Sequence, residues 1–146
     1  ALDLGYTGTS HKNCKGIVKG LANSALIRTS PGAVQSGEDL ANVGPVALLQ
    51  DLAMMALLGI DNVERNGHHY FRGLSMHTPE TQFAVLNNHP DLYAPLPDGT
   101  PALQIQNGAV EIQSVNNAAF GCRSHLDPSA MEPLNDWIKR GGMAEC

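Results

Sequence analysis

No long basic run occurs in this sequence. Nine Lys and Arg residues face fourteen Asp and Glu residues, for a formal charge of -5 over 146 residues. Binding to a polyanion through counterion release is therefore not expected, and nucleic acid is not an expected partner. The mild negative charge suits a soluble protein. Apolar runs are short, and none approaches the roughly 20 residues of a membrane span, so no membrane partner is expected either. No basic-then-apolar signal segment opens the chain. Cysteine is sparse: Cys14, Cys122 and Cys146 are far apart and none forms a C-x-x-C pair. That excludes a zinc knuckle and a disulfide scaffold, makes a reducing cytoplasm the expected compartment, and reads each Cys as a small buried or tail residue. Phosphate-cradling and nucleophile-elbow motifs are missing as well: there is no Walker loop, no G-x-G-x-x-G, no G-x-S-x-G and no H-E-x-x-H.

What is present is an alternation of strand and helix patterns. Residues 3–12 read as a strand stopping around His11–Asn13, followed by a turn at Lys15-Gly16. Ile17, Val18, Leu21, Ala22, Ala25 and Leu26 recur at helical spacing, and Ser30-Pro31-Gly32 ends that amphipathic helix. Ala33–Ser36 reads as a second strand. Pro45 suits the first helical position, Val46 to Leu58 is strongly apolar, and Gly59 caps its C-terminus. Met54 and Met55 within it read as core packing. Ile60–Glu64 reads as a third strand. Thr78-Pro79-Glu80 marks a further helix start, with Thr78 as the cap. Such alternation implies parallel strands joined by crossover helices.

The remainder changes character. Residues 92–100 are rich in Pro and turn residues. Ala102–Gln106 and Ala109–Gln113 alternate around Asn107-Gly108, a two-residue hairpin signal. Residues 128–139 suggest a last helix with Trp137 and Ile138 inward. The chain thus divides into residues 1–91, a partial β/α barrel, and residues 92–146, a hairpin-containing C-terminal segment.

Chemistry in parallel α/β folds gathers where strands end. Three polar clusters fall there: Ser10-His11-Lys12-Asn13, then Ser36-Glu38-Asp39, then Asn66-His68-His69-Tyr70-Arg72. His11, Lys12, Asn13, Glu38, Asp39, His68 and His69 are the candidate catalytic residues. A Lys drawn into a barrel mouth has a lowered pKa and serves as a base near neutrality, whereas a solvated Lys12 does neither. Glu38 and Asp39 either orient a base, bind a cation or face water. His68 and His69 are consecutive and would point to opposite sides of a strand, so at most one faces the site. Glu38 and Asp39 alone are too few for a Mg²⁺ site. His77, His89 and His125 have no obvious partners in the sequence and read as surface or packing residues.

The runs Gly5–Gly16, Ser36–Pro45 and Glu64–Gly73 resemble late-barrel segments of the enolase superfamily, of the mandelate racemase and muconate lactonizing type. The tail, with its Asn107-Gly108 hairpin, Phe120-Gly121 and Leu126-Asp127, is similar to the segment that leaves the last strand for the capping domain. The resemblance implies an α/β fold: a partial (β/α) TIM barrel whose strands correspond to barrel strands 6–8, followed by that hairpin and return segment. It implies removal of the proton α to a carboxylate, with Mg²⁺ stabilising the enediolate and its ligands outside this chain. His11 or Lys12 would lie near the sixth-strand base position, and Glu38 and Asp39 near the seventh. The chain departs from the family in carrying Lys15-Gly16 where Gly-Gly is usual, and Asp39 where a His is expected. The implied partners are a hydroxy-carboxylate or acid-sugar substrate and either a missing N-terminal barrel part or a second copy of the chain. A full (β/α)₈ barrel takes roughly 250 residues, so the chain is expected to be incomplete and inactive alone. A non-catalytic self-assembling module and a small metal hydrolase using His68, His69 and Glu38 are the alternative expectations.

Overall fold

The computed structural model describes residues 2–39, 42–65, 71–123 and 126–140, with the backbone alone for Asp39 and Arg65. Strand β1 (Gly8–His11) leads through a single 3-10 turn into helix α1 (Ile17–Arg28), then strand β2 (Val34–Asp39), helix α2 (Ala47–Leu58) and strand β3 (Val63–Arg65). The three strands form one parallel sheet in the order β1-β2-β3. Ser10 lies beside Ser36, His11 beside Gly37, and Glu38 beside Glu64. The protein is therefore mixed α/β, with the parallel strands and intervening helices that the sequence pattern implies. Among the described residues, no helix is long and apolar enough to cross a membrane.

Helix α2 is the centre of the core. Leu48, Leu49 and Leu52 pack with Leu74, Val85, Leu92, Tyr93 and Val115 in one buried cluster. Met55 and Leu58 join Ile60 in a second, so Met55 is packing, as its residue type suggests. Gly59 adopts φ 66, ψ 39, and its N–H bonds the Ala56 and Met55 carbonyls, closing the helix as a left-handed cap. The N-terminus is displaced from the sequence expectation. Pro45 lies buried in the preceding turn and the helix begins at Ala47.

Helix α1 packs on a different face from the one its apolar stripe suggests. Gly20 and Ser24 are its buried residues. Ser24 Oγ and the Arg28 guanidinium both donate to the Leu58 carbonyl, tying α1 to the end of α2. A Cβ on Gly20 would sit 2.3 Å from His11 Cε1, so only a glycine allows the helix this close to the strand. The stripe looks outward instead, with Val18 80% and Leu26 55% exposed.

Beyond the sheet, helix α3 (Pro79–Asn88) starts where expected: Thr78 Oγ1 accepts from the Thr81 N–H and Pro79 stands in the first turn. Strands β4 (Tyr93–Pro95) and β5 (Pro101–Leu103) then pair antiparallel. The Asn107-Gly108 turn is real, with φ 52 and φ 76, and Gln106 and Ala109 exchange both backbone hydrogen bonds across it. The hairpin expected around it is not formed beyond that one bridge. Leu103, Val110 and Ile112 pack against the main core cluster, which draws the arms apart. Residues 101–103 pair with 93–95, and Gln113–Asn116 forms a short helix, α4.

The C-terminal part also differs from expectation. A 3-10 turn over Pro128–Ala130 and Pro133 precede helix α5 (Leu134–Lys139). Trp137 is buried and its indole N–H donates to Ser75 Oγ at 3.3 Å, while Ile138 is 44% exposed rather than inward. The Trp137 ring lies 6.5 Å from that of Phe71.

Candidate functional site

Parallel strands carry their C-terminal ends to one side of a sheet, and alternate side chains to one face. The register therefore sets Ser10, Lys12, Ser36, Glu38 and Glu64 on a common face near those ends. Lys12 Nζ lies 3.0 Å from Glu38 Oε1, bridging the ends of β1 and β2, with both side chains about one-third exposed. The hydrogen bond to Glu38 holds the Lys12 ammonium above its ordinary pKa, and the Cys14 and Glu64 charges add to that. The same hydrogen bond, with one from Ser10, holds the Glu38 carboxyl below its ordinary range. The Lys12 pKa is thus raised rather than lowered as a barrel-mouth base requires, because the contact with Glu38 favours the ammonium form.

His11 belongs to the other face. It is buried against Gly20 of α1, and its Nε2 lies 2.7 Å from Asn13 Oδ1. His11 and Asn13 are thus brought together, as are Lys12 and Glu38, but the two pairs lie on opposite sides of the strand. The Asp39 backbone pairs with Arg65 in the ladder. His68 and His69, with Asn66 and Tyr70, lie outside the described residues. Arg72, from the same cluster, reaches Asp98 at 2.6 Å. Cys14 is exposed rather than buried, and Cys122 is half-buried.

Sequence reasoning placed Glu64 at the end of the third strand without assigning it to the site. Its signal was the strand period: once Glu38 is paired in register, the opposing residue of the next strand shares its face. Asp61, just before β3, was missed too, having no motif around it.

In front of β3 opens a cleft of about 1010 Å³. Its lining includes Ser10, Ser36, Glu38 and Glu64 from the strands, Met55 and Ala56 from α2, and Ile105, Val110 and Ile112. Among the described residues, no three His, Cys, Asp or Glu side chains stand together as a metal site.

Two of the histidines without sequence partners have clear structural roles. His77 Nε2 is 3.0 Å from the Gly44 carbonyl. His89 is completely buried, with Nδ1 2.9 Å from Ser114 Oγ and the Arg123 N–H donating to Nε2. Because Nε2 accepts, the neutral ring carries its proton on Nδ1 and donates it to Ser114.

No family model, no curated protein and no solved structure matches the chain.

Proposed function

We propose that this chain forms the late-strand wall of a (β/α)-barrel enzyme resembling the mandelate racemase branch of the enolase superfamily, and that the wall is inactive without the remaining strands. The observation that carries the reading is the Lys12–Glu38 ion pair joining two neighbouring strand ends, on the sheet face that also bears Glu64. Barrel enzymes build their sites from charged groups at successive strand ends. Among the described residues, no further strand pairs with the outer edges of β1 and β3, which fits a wall with neighbours on both sides. The reaction class implied by the resemblance is removal of the proton α to the carboxylate of a hydroxy-carboxylate or acid sugar. In that setting Lys12, protonated and held by Glu38, is suited to bind and orient a substrate carboxylate rather than to take up a proton.

The described residues do not make a Mg²⁺ site. Glu38 is already paired with Lys12, and among the described residues no group of three His, Cys, Asp or Glu side chains could hold the ion. Ligands for Mg²⁺ belong, on this reading, to barrel strands outside the chain. Titrating Mg²⁺ into the protein in a calorimeter is expected to give no saturable heat. Exchange of the α-proton of hydroxy-carboxylates in D₂O is expected to be absent for the chain alone and to appear when a polypeptide carrying the earlier strands of such a barrel is added. A tight stoichiometric Mg²⁺ site in the chain alone contradicts incompleteness, and continued absence of exchange in the mixture contradicts the reaction class.

The exposed stripe of α1 favours a second reading, a non-catalytic module that associates with itself. Sedimentation equilibrium separates the two, because only the second requires a concentration-dependent dimer or larger assembly.

A further inference from the structure

We infer that the outward face of α1 docks an amphipathic α-helix of another polypeptide, one whose apolar stripe is bordered by Asp and Glu residues. The inference goes beyond the enzymatic reading and needs neither the polar sheet face nor a reaction. Helix α1 turns Gly20 and Ser24 toward the rest of the protein and half-buries Asn23 and Ile27. At ~100° per residue, Ile17, Leu21, Ala25, Val18, Ala22 and Leu26 follow one another across the opposite half, and all six are exposed. A contiguous exposed apolar face rimmed by charge marks an interaction site. Its shape suits a helix. The rows Ile17-Leu21-Ala25 and Val18-Ala22-Leu26 are ridges of the kind that helices pack into one another's grooves. Ala22 and Ala25 stand side by side in the middle of them. A depression therefore lies between Leu21 and Leu26, and a large side chain of a facing helix fits it.

The charge around the face selects the partner. Residues 4–37 contain Lys12, Lys15, Lys19 and Arg28 but no Asp or Glu, while the rest of the chain holds all fourteen acidic residues and the other five basic ones. Lys12 is taken up by Glu38. Lys15 precedes the helix, Lys19 borders the apolar face on one side and Arg28 borders it on the other. Among the described residues, none of these three pairs with a carboxylate. Arg28 donates to the neutral Leu58 carbonyl, which leaves its charge in place. A facing helix with Asp or Glu along both borders meets these cations as the flanking charges of paired helices do. The α1 of a second copy brings further cations and no acid. An anionic bilayer would be met by a molecule of net charge -5, and it offers no side chain to fill the depression.

The test is fluorescence anisotropy of the full chain with a labelled peptide carrying leucine along one stripe and glutamate on both borders. The peptide has about fourteen residues and a covalent staple, which holds so short a chain helical. Saturable binding is expected. Combining Lys15→Glu with Lys19→Glu, both exposed and clear of the buried side of α1, is expected to weaken it about tenfold. The same variant is expected to gain affinity for a peptide with lysine in place of each glutamate, which separates charge pairing from loss of the fold. Val18→Asp is expected to abolish binding of the glutamate peptide. The proposal is overturned if that peptide does not bind, if the parent protein binds the lysine peptide equally well, or if Val18→Asp changes nothing. It is also overturned if the chain forms a dimer that Val18→Asp dissolves, or if mixed phosphatidylcholine–phosphatidylserine vesicles bind the protein and displace the peptide. The readout involves neither metal nor turnover, so it fails independently of the enzymatic reading.

Discussion

Gly121→Ala is expected to destabilise the protein by about 2–5 kcal/mol, while Gly108→Ala costs only about 1–2 kcal/mol. The two glycines have nearly the same backbone, φ 79 and φ 76, so both substitutions force an L-residue into the left-handed region. Their surroundings separate them. A Cβ on Gly121 would stand 2.4 Å from the Leu49 carbonyl oxygen and 3.1 Å from Ala53 Cβ, whereas one on Gly108 meets nothing within 4 Å. Leu49 is fully buried in the first turn of α2 and cannot give way without moving the helix that carries the core. Urea unfolding of the two variants beside the parent protein checks the comparison. Equal losses would mean that the segment around Gly121 does not lie against α2.

The second large effect belongs to His89. His89→Ala is expected to cost about 2–4 kcal/mol, since it empties a buried site and strands Ser114 Oγ and the Arg123 N–H. The ring ties the C-terminus of α3 to α4 and to the segment at Arg123. Asp91 completes the link by accepting from the Ser114 N–H at 2.8 Å. Acid is expected to loosen the same link. Burial pushes the His89 pKa below its ordinary 6.5, aided by the Arg123 charge and opposed by that of Asp91. The unfolded chain then binds a proton more readily than the folded one. Stability is complete above pH 6.5 and falls as the pH drops below it toward the folded value. Asp91 adds a lower window. Burial works against its ionisation, but hydrogen bonds from Ser114 outweigh this and hold the carboxyl below 3.8, so its contribution is lost on acidification below that value. Unfolding midpoints measured across these ranges for the parent and His89→Gln check the upper window: the upper loss should vanish in the variant.

The order of elements was legible in the sequence because each carries its own periodicity and stop signal. Gly59 ends α2 and Thr78 starts α3 through local backbone chemistry, which a sequence displays directly. Burial was less legible. The apolar stripe of α1 is the strongest helical signal in the first thirty residues, yet the helix rests on Gly20 and Ser24, small residues that permit close approach to His11. At Asn107-Gly108 the turn chemistry was right and the arms were wrong, because Leu103 and Ile112 find the core instead of each other. Lys12 and Glu38 were found because both lie at strand ends beside turn residues. Their mutual neutralisation was not, since it depends on the register between strands separated by a whole helix. His11 was identified as a candidate without its orientation, which only the pleat and the approach of α1 determine.

The pairing of strand ends across the sheet is tested most directly by following the Glu38 side-chain carboxyl through an NMR titration, in the parent protein and in Lys12→Met. A Glu38 pKa below the ordinary glutamate value in the parent, rising toward it when the ammonium is removed, is the expected result. A Glu38 that titrates as an ordinary glutamate in both proteins would contradict it, and with it the shared mouth on which the barrel reading rests.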